Sequence, residues 1–235
     1  MKQTVKRTSP SRAGGRAGAN VPALLKLLRG LYPSPRTALH FQTPIQMLVA
    51  TILSAQCTDV RVNKVTPALF AKYPTVQDFA AAKTPELEKL IHSTGFYKNK
   101  AKNILGAATM IVKKFHGKVP RTMPEMLELP GVARKTANVV LHNCSGIIEG
   151  VVVDTHVGRL SRRLGLTKHT DAGKVEKDLM ELLPHKDWAD FPNMLIEHGR
   201  AVCKSARPDC SRCVLQKICP SAFAFNTKGR WIGVK

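Results

Sequence analysis

Apolar residues recur at three- and four-residue spacings along most of this chain, and no stretch alternates apolar and polar residues as a half-buried strand would. The expected helix starts carry caps. Asn20 can cap VPALLKLLRGLY, and Thr43 precedes a proline at the first helical position of an apolar helix running through Leu53. Thr58 and Asp59 open a helix reaching about Phe70, and Thr75 begins another. Thr84-Pro85 starts ELEKLIHST, which Gly95 can terminate. A basic helix follows from about Asn99 to Phe115, ended by Gly117. Thr122 with Glu125 then fits a capping box for the short PEMLEL helix. TANVVLHNC runs to about Ser145, Asp154 caps THVGRLSRRLG, and two more helices are expected over about 172–183 and 187–202. Val151-Val152-Val153 is too short a run to be a strand. The predicted fold is all-α, with short loops and no internal repeat.

The two ends differ from this pattern. Residues 1–19 are basic, rich in Ser, Gly and Arg, and free of acids, so they cannot bury a face and are expected to be disordered. A nucleic-acid-binding arm, an organelle transit peptide and a solvated tail all fit that composition. Residues 222–235 form a second basic tail without a clear period.

Charge narrows the class of partner. The chain has 37 Lys+Arg against 16 Asp+Glu, a formal net charge of +21. Only Lys2, Lys6, Arg7, Arg12 and Arg16 fall in the first twenty residues, so most of the excess lies in the folded part. Such an excess points to a polyanion, most simply nucleic acid, whose phosphates reward each neutralised charge through counterion release. Aromatic residues are few, which argues against a base-stacking surface of the single-strand-binding type. No apolar run approaches the length needed to span a bilayer, and no secretory segment follows the N-terminus. The expectation is a soluble intracellular protein without a membrane partner.

One stretch breaks the rules of helix design. In Leu129-Pro130-Gly131-Val132-Ala133-Arg134-Lys135-Thr136 a Pro-Gly turn opens directly into a helix. Its first turn carries Arg134 and Lys135, where the positive end of the helix dipole makes cations unfavourable. That placement points to a lysine kept for phosphate or for chemistry.

The six cysteines divide into two kinds. Cys57 and Cys144 stand alone in or beside helices and read as small buried apolar residues. Cys203, Cys210, Cys213 and Cys219 form C-x6-C-x2-C-x5-C, too dense for a generic core, and are expected to bind a metal centre. Spacing alone does not separate a structural zinc from an iron–sulfur cubane. Lys204 and Arg207 sit between the first two, on a loop that such a centre would hold rigid, where they could meet phosphate or remain solvated.

Taken together, LPGVARKTANVV, VDTH with Asp154, and the four-cysteine run resemble the endonuclease III family of DNA glycosylases. ILSAQCTDVRVNKV, GFYKNKAKNI and EHGRAVC extend the likeness over roughly residues 20–220. The resemblance implies two helical domains with a DNA groove between them. Residues 42–155 would form a six-helix barrel carrying the helix-hairpin-helix. Residues 20–41 would join the cluster domain, 156–221, which would hold a [4Fe–4S] cluster on Cys203, Cys210, Cys213 and Cys219. Lys135 would be the nucleophile and Asp154 the essential carboxylate. Gln56 and Phe96 match positions that enter the duplex where a damaged base has been expelled. Gly131, Val132, Ala133 and Arg134 would meet phosphate at the hairpin, with His156, Lys204 and Arg207 as further DNA contacts.

The implied activity is base excision repair by a bifunctional glycosylase and abasic-site lyase, acting as a monomer on oxidised pyrimidines in duplex DNA. Its place would be with the DNA, in a bacterial cytoplasm or nucleoid, with nucleus or organelle left open. An amine attacks only when unprotonated, and burial, Arg134 and the helix end would all disfavour an ammonium at Lys135. Two positions depart from the family pattern. Ala133 replaces the second hairpin glycine, harmless or even favourable if its backbone is helical, and Phe96 stands where leucine is common. Adenine-mismatch glycosylases share the hairpin, aspartate and cluster but typically lack the lysine. A non-catalytic iron–sulfur DNA binder would use the hairpin for phosphate alone.

Overall fold

The computed structural model describes residues 20–226 and 228–233, so the disordered tail expected over 1–19 lies outside the described residues. Within them the helices are α1 (Val21–Leu31), α2 (Pro44–Ser54), α3 (Asp59–Lys72), α4 (Val76–Ala80), α5 (Thr84–Ile91) and α6 (Tyr97–Lys114). They continue with α7 (Met123–Glu128), α8 (Arg134–Ser145), α9 (Thr155–Arg163), α10 (Ala172–Leu182) and α11 (Asp190–Ala201). Three single 3-10 turns and one antiparallel bridge, Phe225 to Trp231, complete the regular structure of the described residues. The fold is all-α.

The helices begin where side chains can satisfy their free N–H groups. Asn20, Thr43, Thr58, Thr75, Thr122, Asp154 and Asp171 each accept a hydrogen bond from the N–H three residues on. Each such cap is worth about 1 kcal/mol. Two details differ from the sequence expectation. Lys83, not Thr84, precedes α5 and offers no side-chain cap. At Thr122 the hydroxyl gives its own proton to the Glu125 carboxylate at 2.7 Å, whereas the reciprocal box forms at Thr75 and Asp78.

Two apolar cores result. The first surrounds α2, whose residues Ile45 to Leu53 are all buried, as a helix apolar on every side must be. It packs against α3, α6 and α8, while α4 and α5 lie on α6 and α7 lies on α8. Leu48, Phe79, Leu87, Ile104, Ile111 and Met126 are fully enclosed there. The second core brings α1 back to α9, α10 and α11, burying Leu24 and Leu28 with Leu160, Leu179, Phe191 and Leu195. A side chain of this size stabilises by about 2 kcal/mol when fully buried.

The chain crosses between the cores twice. Leu39 already buries with the first core, and Val151 with the second. Side chains also link them: Arg200 of α11 meets Asp59 at the start of α3 at 2.5 Å, and Arg134 of α8 meets Glu176 of α10 at 3.1 Å. No helix among the described residues is long and apolar enough to cross a membrane.

Candidate active site and metal centre

After α7 ends, the Leu129 carbonyl accepts from the Val132 N–H at 3.1 Å, with Gly131 at φ 75°. This is the Pro-Gly reverse turn in which only glycine takes the third position without strain. The turn rests on α6. A Cβ on Gly131 would stand 2.6 Å from the Asn103 amide nitrogen, and one on Gly106 would stand 3.1 Å from the Pro130 ring. Val132 is buried, leaving only its backbone for a ligand.

Ala133 is the residue before the helix, not part of it. Its φ of −93° and ψ of 169° are extended, so the helix-favouring effect of alanine does not apply there. The same extended backbone suits any L residue, so glycine is not required. Alanine has no side-chain oxygen to cap α8, whose first N–H groups consequently lack a side-chain partner.

Arg134 is half exposed and reaches across the surface to α10 and the loop before α9. Nε donates to both Glu176 oxygens at 3.1 and 3.3 Å, and Nη2 donates to the Glu149 carbonyl at 3.0 Å. Asn138, one turn on, donates to Glu176 at 3.2 Å. A Cβ at Gly150 would fall 2.1 Å from a Glu176 oxygen, so the loop before α9 passes hard against this carboxylate. The start of α8 is thereby fixed beside the segment that leads to Asp154.

Lys135 is exposed, which corrects the expectation that burial acts on its amine. The reason is local: the first turn of α8 projects beyond the core, and its first buried residue is Ala137. Asp154 caps α9, Oδ1 accepting from the Val157 N–H at 2.8 Å. Its other oxygen lies 3.3 Å from His156 Nδ1, and the carboxylate keeps 21% exposure. His156 also lies against α11, where a Cβ on Gly199 would approach its ring to 3.0 Å. Arg159, one turn along α9, donates to the Cys203 carbonyl at 3.1 Å, and burial lowers its pKa.

Gln56 and Phe96 are both exposed and both left-handed, at φ 52° and 49°. Arg207, at φ 50°, shares this backbone, so three of the five non-glycine residues with positive φ among the described residues are positions expected to meet DNA. An L side chain takes that conformation at a cost of about 1–2 kcal/mol. Such strain persists where the surroundings enforce it, commonly at functional positions.

Cys203, Cys210, Cys213 and Cys219 line one cavity together with Leu160, Leu215 and Phe225. Burial pushes the Cys219 thiol up to about 11 and raises that of Cys213, so a metal centre must displace protons that the thiols hold firmly. Arg163, only 4% exposed, donates to Cys203 Sγ at 3.3 Å and to the carbonyls of Lys204 and Ser205 at 2.8 and 2.7 Å. It thus holds the loop that carries Lys204 and Arg207, both exposed. His198, buried, lies with Nε2 3.4 Å from Cys213 Sγ and Nδ1 3.2 Å from the Tyr32 hydroxyl. Cys57 and Cys144 lie apart from this cavity and pack against the first core.

Two residues escaped the sequence reading. Glu176 left no signal, because its partner Arg134 is 42 positions away. Lys100 did leave one. It sits with Ala101, Ile104, Ala107, Ala108 and Ile111 on the buried face of α6, where a lysine is out of place.

Comparison with known proteins agrees with this fold. Residues 49–185 match the model of the HhH-GPD superfamily base excision DNA repair proteins. An endonuclease III of Synechocystis sp. is 59% identical over 201 residues, covering 86% of this chain and 92% of that protein. A non-covalent endonuclease III–DNA complex superposes with a TM-score of 0.80 at 42% identity, covering 85% of this chain and 93% of the other. A trapped endonuclease III–DNA covalent intermediate, an estranged-adenine complex, matches with the same score, identity and coverage. The chain belongs to the endonuclease III family within the HhH-GPD superfamily of base excision DNA repair proteins.

Proposed function

We propose that this protein is a bifunctional DNA glycosylase and abasic-site lyase that acts as a monomer on oxidised pyrimidines in duplex DNA. The observation that carries the residue roles is the tie between the start of α8 and the segment that leads to Asp154. Lys135 stands exposed on the uncapped first turn of α8, and Arg134 ties that turn to Glu149, five residues before the Asp154 carboxylate. The trapped endonuclease III–DNA covalent intermediate of a relative supports covalent chemistry on DNA.

The chemistry follows from these groups. The Lys135 amine, once deprotonated, bonds to C1′ of an extruded nucleotide. The bond from C1′ to the base breaks, and the base leaves with the electron pair and takes up a proton. Asp154 accepts the amine proton or stabilises positive charge developing on the sugar. The ring C1′–O4′ bond opens, O4′ leaving with the electron pair and taking up a proton, to give an iminium at C1′. Loss of a C2′ proton then expels the 3′ phosphate, and water releases the lysine. Hairpin N–H groups and the positive end of α8 hold a backbone phosphate. Gln56 and Phe96 occupy the space left by the extruded base, which costs a few kcal/mol to remove from the stack.

The cysteine cavity fits a [4Fe–4S] cluster. All four thiols line it, a donor set suited to iron–sulfur ligation. When bound, the cluster would brace the loop bearing Lys204 and Arg207 and take no part in base release.

Incubating the protein with a duplex containing oxidised thymine or an abasic site, then adding borohydride, tests the reading. A covalent adduct that vanishes in Lys135→Ala is expected. Absence of an adduct with intact wild-type protein contradicts it.

A further inference from the structure

Lys100 is a buried cation that the proposed chemistry leaves unused, at 4% exposure in the middle of an apolar helix face. Its ammonium donates to the Leu53 carbonyl and to the Thr94 carbonyl, each at 2.8 Å. Burying an ammonium is costly unless hydrogen bonds replace its water, and an apolar residue of similar size commonly stabilises a core as well or better. Stability alone therefore gives little reason for a lysine here.

The partners supply a better reason. Leu53 lies in the last turn of α2, three residues before Gln56, and Thr94 ends the 3-10 turn two residues before Phe96. The lysine thus joins the roots of the two loops whose exposed, left-handed residues face solvent. Those loops come from segments forty positions apart in sequence and share no helix. A single ammonium with two short bonds fixes their separation as neither loop can do alone.

We infer that Lys100 is a positioning residue that makes Gln56 and Phe96 act as one two-pronged wedge during base extrusion. This rests on the glycosylase reading above. The lysine touches neither substrate nor Lys135. Losing it should let the prongs drift, slowing extrusion of a paired base while leaving chemistry at an already exposed sugar intact.

The test compares three substrates with wild-type protein, Lys100→Met and Lys100→Gln. The first is oxidised thymine paired with adenine, the second the same lesion in a single-nucleotide bulge, and the third a preformed abasic site. Single-turnover base release from the paired lesion should fall about tenfold in Lys100→Met, a loss typical of misplacement by a fraction of an ångström. The bulged lesion and abasic-site cleavage should stay within about twofold of wild type, because little or no base must be displaced. Lys100→Gln keeps one donor and should fall between, and it replaces Lys100→Met if that variant does not fold. A second readout is a double-mutant cycle with Phe96→Ala, whose effect should largely disappear when Lys100 is already absent. Equal losses on paired and bulged lesions, no loss on either, or additive effects in the cycle would overturn the inference. Failure of wild-type protein to cleave abasic sites would instead overturn the glycosylase–lyase reading itself.

Discussion

The first core and the second core are built from the same kind of short, capped helix, yet they are closed in different ways. Around α2 the first core surrounds a helix buried on every side, with each neighbouring element helical. The last fully buried apolar residue of the second core is Leu215, and from Cys203 to Ile232 the described residues contain one 3-10 turn and no α-helix. Beside the buried Leu215, that segment is held by Arg163 on three acceptors and by the Asp209 N–H on the Val202 carbonyl, with the four cysteines around one cavity. Both cores hold apolar side chains, and under the proposed reading a centre bound by the four thiols would close the last segment of the second. The groups proposed for chemistry lie where the chain crosses between them.

Three measurements would break or sharpen that contrast. The largest effect is expected from the cysteines. A structural metal centre can contribute on the order of 10 kcal/mol to folding. Replacing Cys213 and Cys219 by serine should therefore open the second core to protease and hydrogen exchange while α2, α6 and α8 stay protected. Uniform loss of protection across both cores would contradict their separate closure.

A smaller effect on stability but a large one on rate is expected at the crossing. Asparagine caps helices as well as aspartate does. Asp154→Asn should leave the melting temperature close to wild type while base release falls by about 10²–10⁴, the usual range for a proton-transfer group. Unchanged base release would reduce Asp154 to a cap.

The mildest change tests the hairpin. Ala133→Ser should add a capping hydroxyl to α8, stabilising the protein by about 1 kcal/mol. It should also weaken DNA affinity, because the hydroxyl then takes an N–H group that a phosphate would use. Calorimetry and fluorescence titration read the two effects. Tighter DNA binding in this variant would count against the uncapped α8 as a phosphate site.

Much of this arrangement was legible in the sequence because it is local. Caps at Asn20, Thr43, Thr58, Thr122 and Asp154 act within four residues, and the Pro-Gly turn at 130–131 dictates its own backbone. The cysteine spacing is local in the same way, and the four side chains line one cavity. The rest depends on contacts between distant segments. Whether Ala133 is helical depends on where α6 seats the hairpin, through Asn103 and Gly106. The exposure of Lys135 depends on how far α8 projects past the core. Arg134 is expected to meet DNA, and only the folded chain shows that its side chain also pairs with Glu176 on another helix. Lys100 was visible as a charge on an apolar face, but only the folded chain shows which carbonyls it joins.

The central claim is that Lys135 forms the covalent bond to DNA. Digesting the borohydride-trapped complex and sequencing the cross-linked peptide by mass spectrometry tests it most directly. The account predicts a reduced sugar remnant on the Lys135 side chain. A remnant on any other lysine, or on the N-terminal amine, would contradict it.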